Sequence, residues 1–162
     1  MNDVATRDDG RLHLGRLSVD RVDLRGALDA IEHLVDKGDG GTVFTPNVDH
    51  VVLADGDDAF RRAYESADLC LADGMPIVWV SRLFGDPLPE KVSGSDLVEP
   101  LMERAAAKGW KTYLLGGGDG VAQKAARALR QRHPRLRIVG AAGPRIDLTQ
   151  SKSTRRHVLE DI

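Results

Sequence analysis

The stretch "ADLCLADGMPIVWVSRLFG", residues 67–85, changes pattern within a few positions. Leu69, Cys70, Leu71 and Ala72 form an unbroken apolar run, short for a helix and suited to a strand covered on both faces. Asp73 and Gly74 interrupt it. From Met75 a helical stretch resumes, with Pro76 where a first helical turn tolerates it. A buried strand followed at once by a helix is the repeating unit of a parallel sheet.

The rest of the chain repeats that unit. Partial alternation in "RLHLGRLSV" predicts a first strand near residues 12–19. Asp20 or Asp23 then caps a helix running to about Lys37, with Leu24, Leu28, Ile31 and Val35 as its apolar stripe. "KGDGG" stops it and "TVF" is a short strand. Two short helices follow over 48–55 and 57–66, split by "DGD". "DPLPEKVSG" is a loop, and Ser95 or Asp96 caps a helix to Lys108. "WKTYLLGG" is a strand, Gly120 to His133 a helix, "LRIVGAAG" a strand, and Ser153 begins another helix. The alternation predicts an α/β fold with a largely parallel sheet. In such sheets the site lies beyond the carboxyl ends of the strands, where the loops 45–50, 73–76 and 116–120 fall.

Composition narrows the function classes. Lys plus Arg number 23 and Asp plus Glu 25, a formal charge of -2, so no concentrated basic face argues for nucleic-acid binding. Lys124, Arg127, Arg130, Arg132, Arg135 and Arg137 come without an intervening acid; that run faces solvent or attracts anionic lipid. No apolar run reaches the roughly 18–20 residues of a membrane span. "MNDVATRDDGR" is acidic and apolar-poor, unlike a signal peptide, and residues 1–11 are expected to be mobile. Cys70 reads as a buried free thiol in a reducing compartment.

Asp73, between strand and helix, has two readings: a cap for the helix, or a general base at the sheet edge. Asp68, at the other end of the same strand, reads as a cap. In "GTVFTPNVDH", residues 41–50, Thr45 and Asn47 occupy the matching place after the preceding strand. Their side chains can hold a sugar hydroxyl or phosphate oxygen without adding charge, and Pro46 stiffens the loop. In "EKVSGSDL" Lys91 can pair with a diphosphate, Gly94 allows a close turn, and Asp96 caps the next helix. "YLLGGGDGVAQKAA" places Gly116, Gly117, Gly118 and Asp119 between a strand and a helix. Glycines there let a phosphate approach the backbone and the helix N-terminus, and a tight connection is the alternative. The loop lacks the Gly-Lys-Ser/Thr of a P-loop and the third glycine of a dinucleotide fingerprint.

Asp55 and Asp57 have a spacing that can hold a divalent cation, but they sit between two helices and suit a turn better. The five histidines show no zinc spacing, and no metal site is assigned. Trp79 and Trp110 read as packing residues.

In order and spacing, "TPNVDHVVLA", "ADLCLADGMPIVW", "EKVSGSDLVEPL", "YLLGGGDGVAQKAA" and "HPRLRIVGAAGP" resemble the WecG/TagA/CpsF glycosyltransferase family, from about Leu12 to Gly143. The resemblance implies a Rossmann-like three-layer domain over 12–162. It implies inverting transfer of N-acetylmannosamine, or a related sugar, from a UDP-sugar to the C4 hydroxyl of N-acetylglucosamine on undecaprenyl diphosphate. Such products feed teichoic acid, common antigen or capsule at the cytoplasmic face of the membrane. Asp73 matches the family's catalytic base, and Thr45 and Asn47 its substrate-binding pair. Lys91 stands where the family usually has arginine, a departure that weighs against bidentate diphosphate binding. No cofactor is implied. The family usually continues past the position of Ile162 with an aromatic segment, a "GxPxQE"-like loop and a basic tail, so the domain is expected to be incomplete here. A noncatalytic nucleotide-sugar-binding or assembly module is the alternative, and homo-oligomerisation is left open.

Overall fold

The computed structural model describes residues 10–143; the helix expected from Ser153 and most of the N-terminal segment expected to be mobile lie outside them. The chain divides between Val98 and Glu99 into two compact units.

The first unit opens on a hairpin, not on the single strand expected over 12–19. β1 (Arg11–Leu14) pairs antiparallel with β2 (Leu17–Asp20), setting Leu12 opposite Val19 and Leu14 opposite Leu17. The apolar phase explains the correction. Leu12 and Leu14 fall on even positions, Leu17 and Val19 on odd ones, so one straight strand would put them on opposite faces. A two-residue turn restores one buried face, and Gly15, at φ 59°, takes the left-handed position there.

α1 (Leu24–Lys37) is capped by Asp23, whose carboxylate accepts from the Gly26 N–H at 2.7 Å. Ala27, Leu28 and Ile31 are buried, but Val35, expected on the same stripe, is 45% exposed in the last turn. β3 (Val43–Phe44) leads into α2 (Val48–Gly56) and α3 (Asp58–Glu65), and the chain returns as β4 (Leu69–Cys70). β3 and β4 are parallel, with Val43 beside Leu69 and Phe44 beside Cys70. Asp20 serves β4 instead of a helix: its carboxylate accepts from the Cys70 N–H at 2.7 Å and from Arg11 Nε at 2.8 Å. Asp68 likewise is no helix cap. It accepts from the Thr42 N–H at 2.8 Å, joining the entries of the two parallel strands, and that bond lowers its pKa.

α4 (Met75–Leu83) buries Ile77, Val78 and Ser81. Ile77 and Leu88 join Leu12, Leu14, Val19 and Ala72 in one core cluster. Each such aliphatic side chain contributes about 1.5–3 kcal/mol by leaving water. Trp79, expected to pack, is instead 60% exposed. The helical period turns residue 79 away from the face that carries 77, 78 and 81.

α5 (Gly94–Lys108) is followed by β5 (Lys111–Leu115), α6 (Val121–Arg132) and β6 (Arg137–Ala142). In the second unit β5 and β6 are parallel, with a register shift after Thr112. Met102, Ala105, Ala126, Leu129, Leu136 and Ile138 form its core, and Trp110 packs against them as expected. Gly140 is obligatory: a Cβ there would lie 2.2 Å from the Tyr113 ring. The described residues are thus α/β, with two parallel pairings and one antiparallel hairpin. Among them no helix is long and apolar enough to cross a membrane.

Candidate functional site

Backbone hydrogen bonds carry the parallel register of β3 and β4 beyond the strands themselves. The Leu71 N–H donates to the Phe44 carbonyl at 2.8 Å, and the Asp73 N–H to the Pro46 carbonyl at 3.0 Å. Pro46 has no N–H to offer, but its ring is fully buried and its carbonyl fixes where Asp73 begins. A third segment joins when the Val92 N–H donates to the Ala72 carbonyl at 2.9 Å. Two residues on, a Cβ built on Gly94 would stand 3.7 Å from Thr45 Oγ1. Thr45, Asp73 and Gly94, widely separated in sequence, are therefore carried by three segments bonded to one another. Gly94 does not have the left-handed φ of a glycine turn, so the close turn expected of it is not what the backbone demands. Its missing side chain leaves space beside the Thr45 hydroxyl.

Asn47 is the N-cap of α2. Its Oδ1 accepts from the His50 N–H at 3.2 Å, while the Asn47 N–H donates to His50 Nδ1 at 3.0 Å. The His50 ring stacks 5.8 Å from Phe60, and Tyr64 lies 4.8 Å from Phe44, so an aromatic group braces this loop. Burial raises the Tyr64 pKa further. The cap occupies the Asn47 oxygen and does not use its amide NH2. Asp73 is half-buried and does not fill the cap role open to it. Gly74, at φ 110°, is the N-cap of α4, and no side chain caps that helix. Neither Asp73 nor Thr45 has a side-chain partner among the described residues.

Lys91, Ser93 and Asp96 form a polar cluster beside these groups. Ser93 and Asp96 cap α5 reciprocally: the Asp96 N–H donates to Ser93 Oγ at 3.2 Å, and the Ser93 N–H to Asp96 Oδ2 at 2.9 Å. The cap is thus Ser93, and not Ser95 or Asp96 as the sequence suggested; Asp96 takes the third helical position of a capping box. Lys91 Nζ also bonds Asp96 Oδ2. That bond, with those from Ser93, brings the Asp96 pKa down to about 2. Lys91, expected at a diphosphate, is paired with a carboxylate here.

The glycine loop of the second unit is built differently. Gly116, Gly117 and Gly120 take φ values of 120°, 75° and 76°, and a Cβ on Gly117 would meet Val121 at 2.8 Å. A Cβ on Gly143 would lie 2.9–3.2 Å from the carbonyl oxygens of Gly116, Gly117 and Gly118. Three carbonyl oxygens of the loop thus lie against Gly143, and the loop then leads into the start of α6. Gly120 is the N-cap there without a side-chain hydrogen bond; the Val121 N–H donates to the Gly118 carbonyl at 3.0 Å, and no side chain caps the N–H groups that follow it. Asp119 is exposed and does not cap the helix.

Residues 12–162 match the glycosyl transferase WecG/TagA/CpsF family. The chain belongs to this family. It is also similar to the N-acetylglucosaminyldiphosphoundecaprenol N-acetyl-beta-D-mannosaminyltransferase of Bacillus spizizenii, at 27% identity over 106 residues. That alignment covers 65% of the chain and 41% of the relative, so the chain spans well under half of that protein's length.

In this WecG/TagA/CpsF chain the remaining candidates have structural duties. Asp57 caps α3, accepting from the Ala59 and Phe60 N–H groups at 2.8 and 3.0 Å, and Asp55 pairs with Arg16 at 3.7 Å. Cys70 is buried, and burial pushes its thiol up to about 11, which keeps it protonated and unreactive. The residue that sequence reading passed over is Ser93. The "SGSD" run (residues 93–96) carries the signal, a serine three positions ahead of an acid, but Ser95 offers a competing cap.

Proposed function

We propose that the protein takes part in UDP-sugar-dependent glycosyl transfer on a Rossmann-like three-layer domain. The reaction moves N-acetylmannosamine, or a related sugar, onto the C4 hydroxyl of N-acetylglucosamine carried on undecaprenyl diphosphate. The observation that carries the reading is the bonded convergence of Thr45, Asp73 and Gly94 in a chain that belongs to this family. Asp73 accepts the proton of the C4 hydroxyl as that oxygen attacks the anomeric carbon. The bond from that carbon to the diphosphate breaks, UDP leaves, and the configuration inverts. A half-buried carboxylate with no competing helix to cap suits a base that must receive a proton in place.

Thr45 and the Asn47 amide hold sugar or phosphate oxygens, and the gap at Gly94 admits them. Asp96 accepts from substrate hydroxyls, and Lys91 offsets the charge that builds on the departing diphosphate. In the second unit, Gly116, Gly117, Gly118 and Asp119 are proposed nucleotide contacts, on the strength of the uncapped start of α6. The setting proposed is the cytoplasmic membrane face, where the lipid-linked acceptor resides. The alternative reading is a module that binds nucleotide-sugar without transferring it, in which Lys91 stays paired with Asp96.

The deciding experiment measures UDP release from UDP-N-acetylmannosamine with a short-chain lipid-diphosphate-N-acetylglucosamine acceptor. Turnover by the chain that disappears in Asp73→Asn supports transfer with Asp73 as base. UDP binding without turnover favours the module. Turnover undiminished in Asp73→Asn sinks the base assignment.

A further inference from the structure

Ser93 is 5% exposed, and its hydroxyl is the meeting point of the cluster. Ser93 Oγ donates to Asp96 Oδ2 at 2.6 Å and accepts from Lys91 Nζ at 3.3 Å, while Lys91 Nζ also reaches Asp96 Oδ2. The Ser93 N–H adds a third donor to that same carboxylate oxygen at 2.9 Å. We propose that Ser93 is the positioning residue for Lys91, holding its ammonium at the site and letting Asp96 release it when a ligand's diphosphate arrives. The inference rests on the reading that Lys91 meets the diphosphate of a UDP-sugar.

The physical argument concerns what remains after Lys91 moves. A partly exposed carboxylate that loses a cation recovers only some of that bonding from water, and the deficit opposes release unless other donors are already in place. Asp96 Oδ2 keeps two donors from Ser93, so its charge stays satisfied and Lys91 can leave. Ser93 Oγ in turn gives the ammonium a second, neutral partner beside the carboxylate. Without it, a flexible four-carbon stem is tied to Asp96 alone or swings into solvent. Deleting the hydroxyl therefore makes Lys91 both harder to release and less well placed.

The test is UDP binding by titration calorimetry, with thermal melts alongside. Ser93→Ala is expected to bind UDP about three- to tenfold more weakly, the effect of one hydrogen bond in the cluster. Ser93→Gly, which keeps the helix start because glycine is tolerated at a cap, should lose as much. Ser93→Thr, which retains the hydroxyl, should bind nearly as the unaltered chain does. In a Lys91→Met background, Ser93→Ala should make no further difference, because Ser93 acts through Lys91. An equal loss in both backgrounds overturns the inference and leaves Ser93 a helix cap. Absence of UDP binding by the unaltered chain overturns the functional reading beneath it as well, and the two failures are told apart by that control.

Discussion

Two loops that follow parallel strands solve one problem by opposite means. Past β3 and β4, the chain places side chains: Thr45, Asn47 and Asp73 stand on backbone ordered by strand-like hydrogen bonds and a capping box. Past β5, it places backbone: Gly116, Gly117 and Gly120 turn through positive φ values, and no side chain caps the start of α6. The side-chain loop depends on backbone hydrogen bonds to place its groups, whereas the glycine loop depends on the absence of side chains. The two also differ in chemistry. A carboxylate can move a proton, whereas amide N–H groups can only bind charge.

The largest effect that would break this contrast is chemical. Asp73→Asn should lower turnover about 10²–10⁴-fold while leaving the melting temperature nearly unchanged, since no helix depends on its charge. A matching loss of stability would make Asp73 a structural residue. Next comes the same glycine-to-alanine change in each loop. Gly117→Ala adds a Cβ at φ 75° and 2.8 Å from Val121, so it should cost about 1–3 kcal/mol in denaturant unfolding. Gly94→Ala meets only an ordinary contact 3.7 Å away, so stability should hold to within about 0.5 kcal/mol. Its methyl lies against the Thr45 hydroxyl, and UDP-sugar affinity should fall up to about tenfold, the scale of one lost hydrogen bond. Equal melting losses at both glycines would erase the distinction between the loops.

The smallest effect sharpens the electrostatics of the side-chain site. Asp96 titrates in the folded protein at about 2, against 3.8 for the ordinary group, because Lys91 first and Ser93 second bond its charged form. A carboxylate lowered in the folded state contributes stability that is whole above about pH 4 and is lost as the pH falls toward about 2. With 36% of the side chain exposed, solvent screening keeps that gain below about 1 kcal/mol. The melting difference between the unaltered chain and Asp96→Asn should therefore shrink across that window. A constant difference from neutral to acid pH would show that the Lys91–Asp96 pair contributes nothing measurable.

Where the sequence reading succeeded, the signal was local. The unbroken apolar run from Leu69, the cap at Asp23, the stop at "KGDGG" and the helix opened by Pro76 each express a short-range preference of the chain. Its failures were of two kinds, competing local signals and partners far along the chain. The hairpin was hidden because apolar residues recur on both sides of Gly15, and only the phase of Leu17 and Val19 betrays the turn. Asp20 and Asp68 look like caps but complete strand edges, with partners 50 and 26 residues away. Trp79 looks like core until the buried face of α4 is known.

The candidate site divides the same way. Sequence alone determined its chemistry, because residue types and their order name an acid, a lysine, hydroxyl and amide groups, and a glycine loop. It also determined the family, because the motifs recur in a fixed order over most of the chain. Only the tertiary structure decided that the Pro46 carbonyl sets Asp73 and that Gly94 opens space beside Thr45. Such contacts depend on hydrogen bonds between segments that meet when the strands pair, and no local preference encodes that meeting.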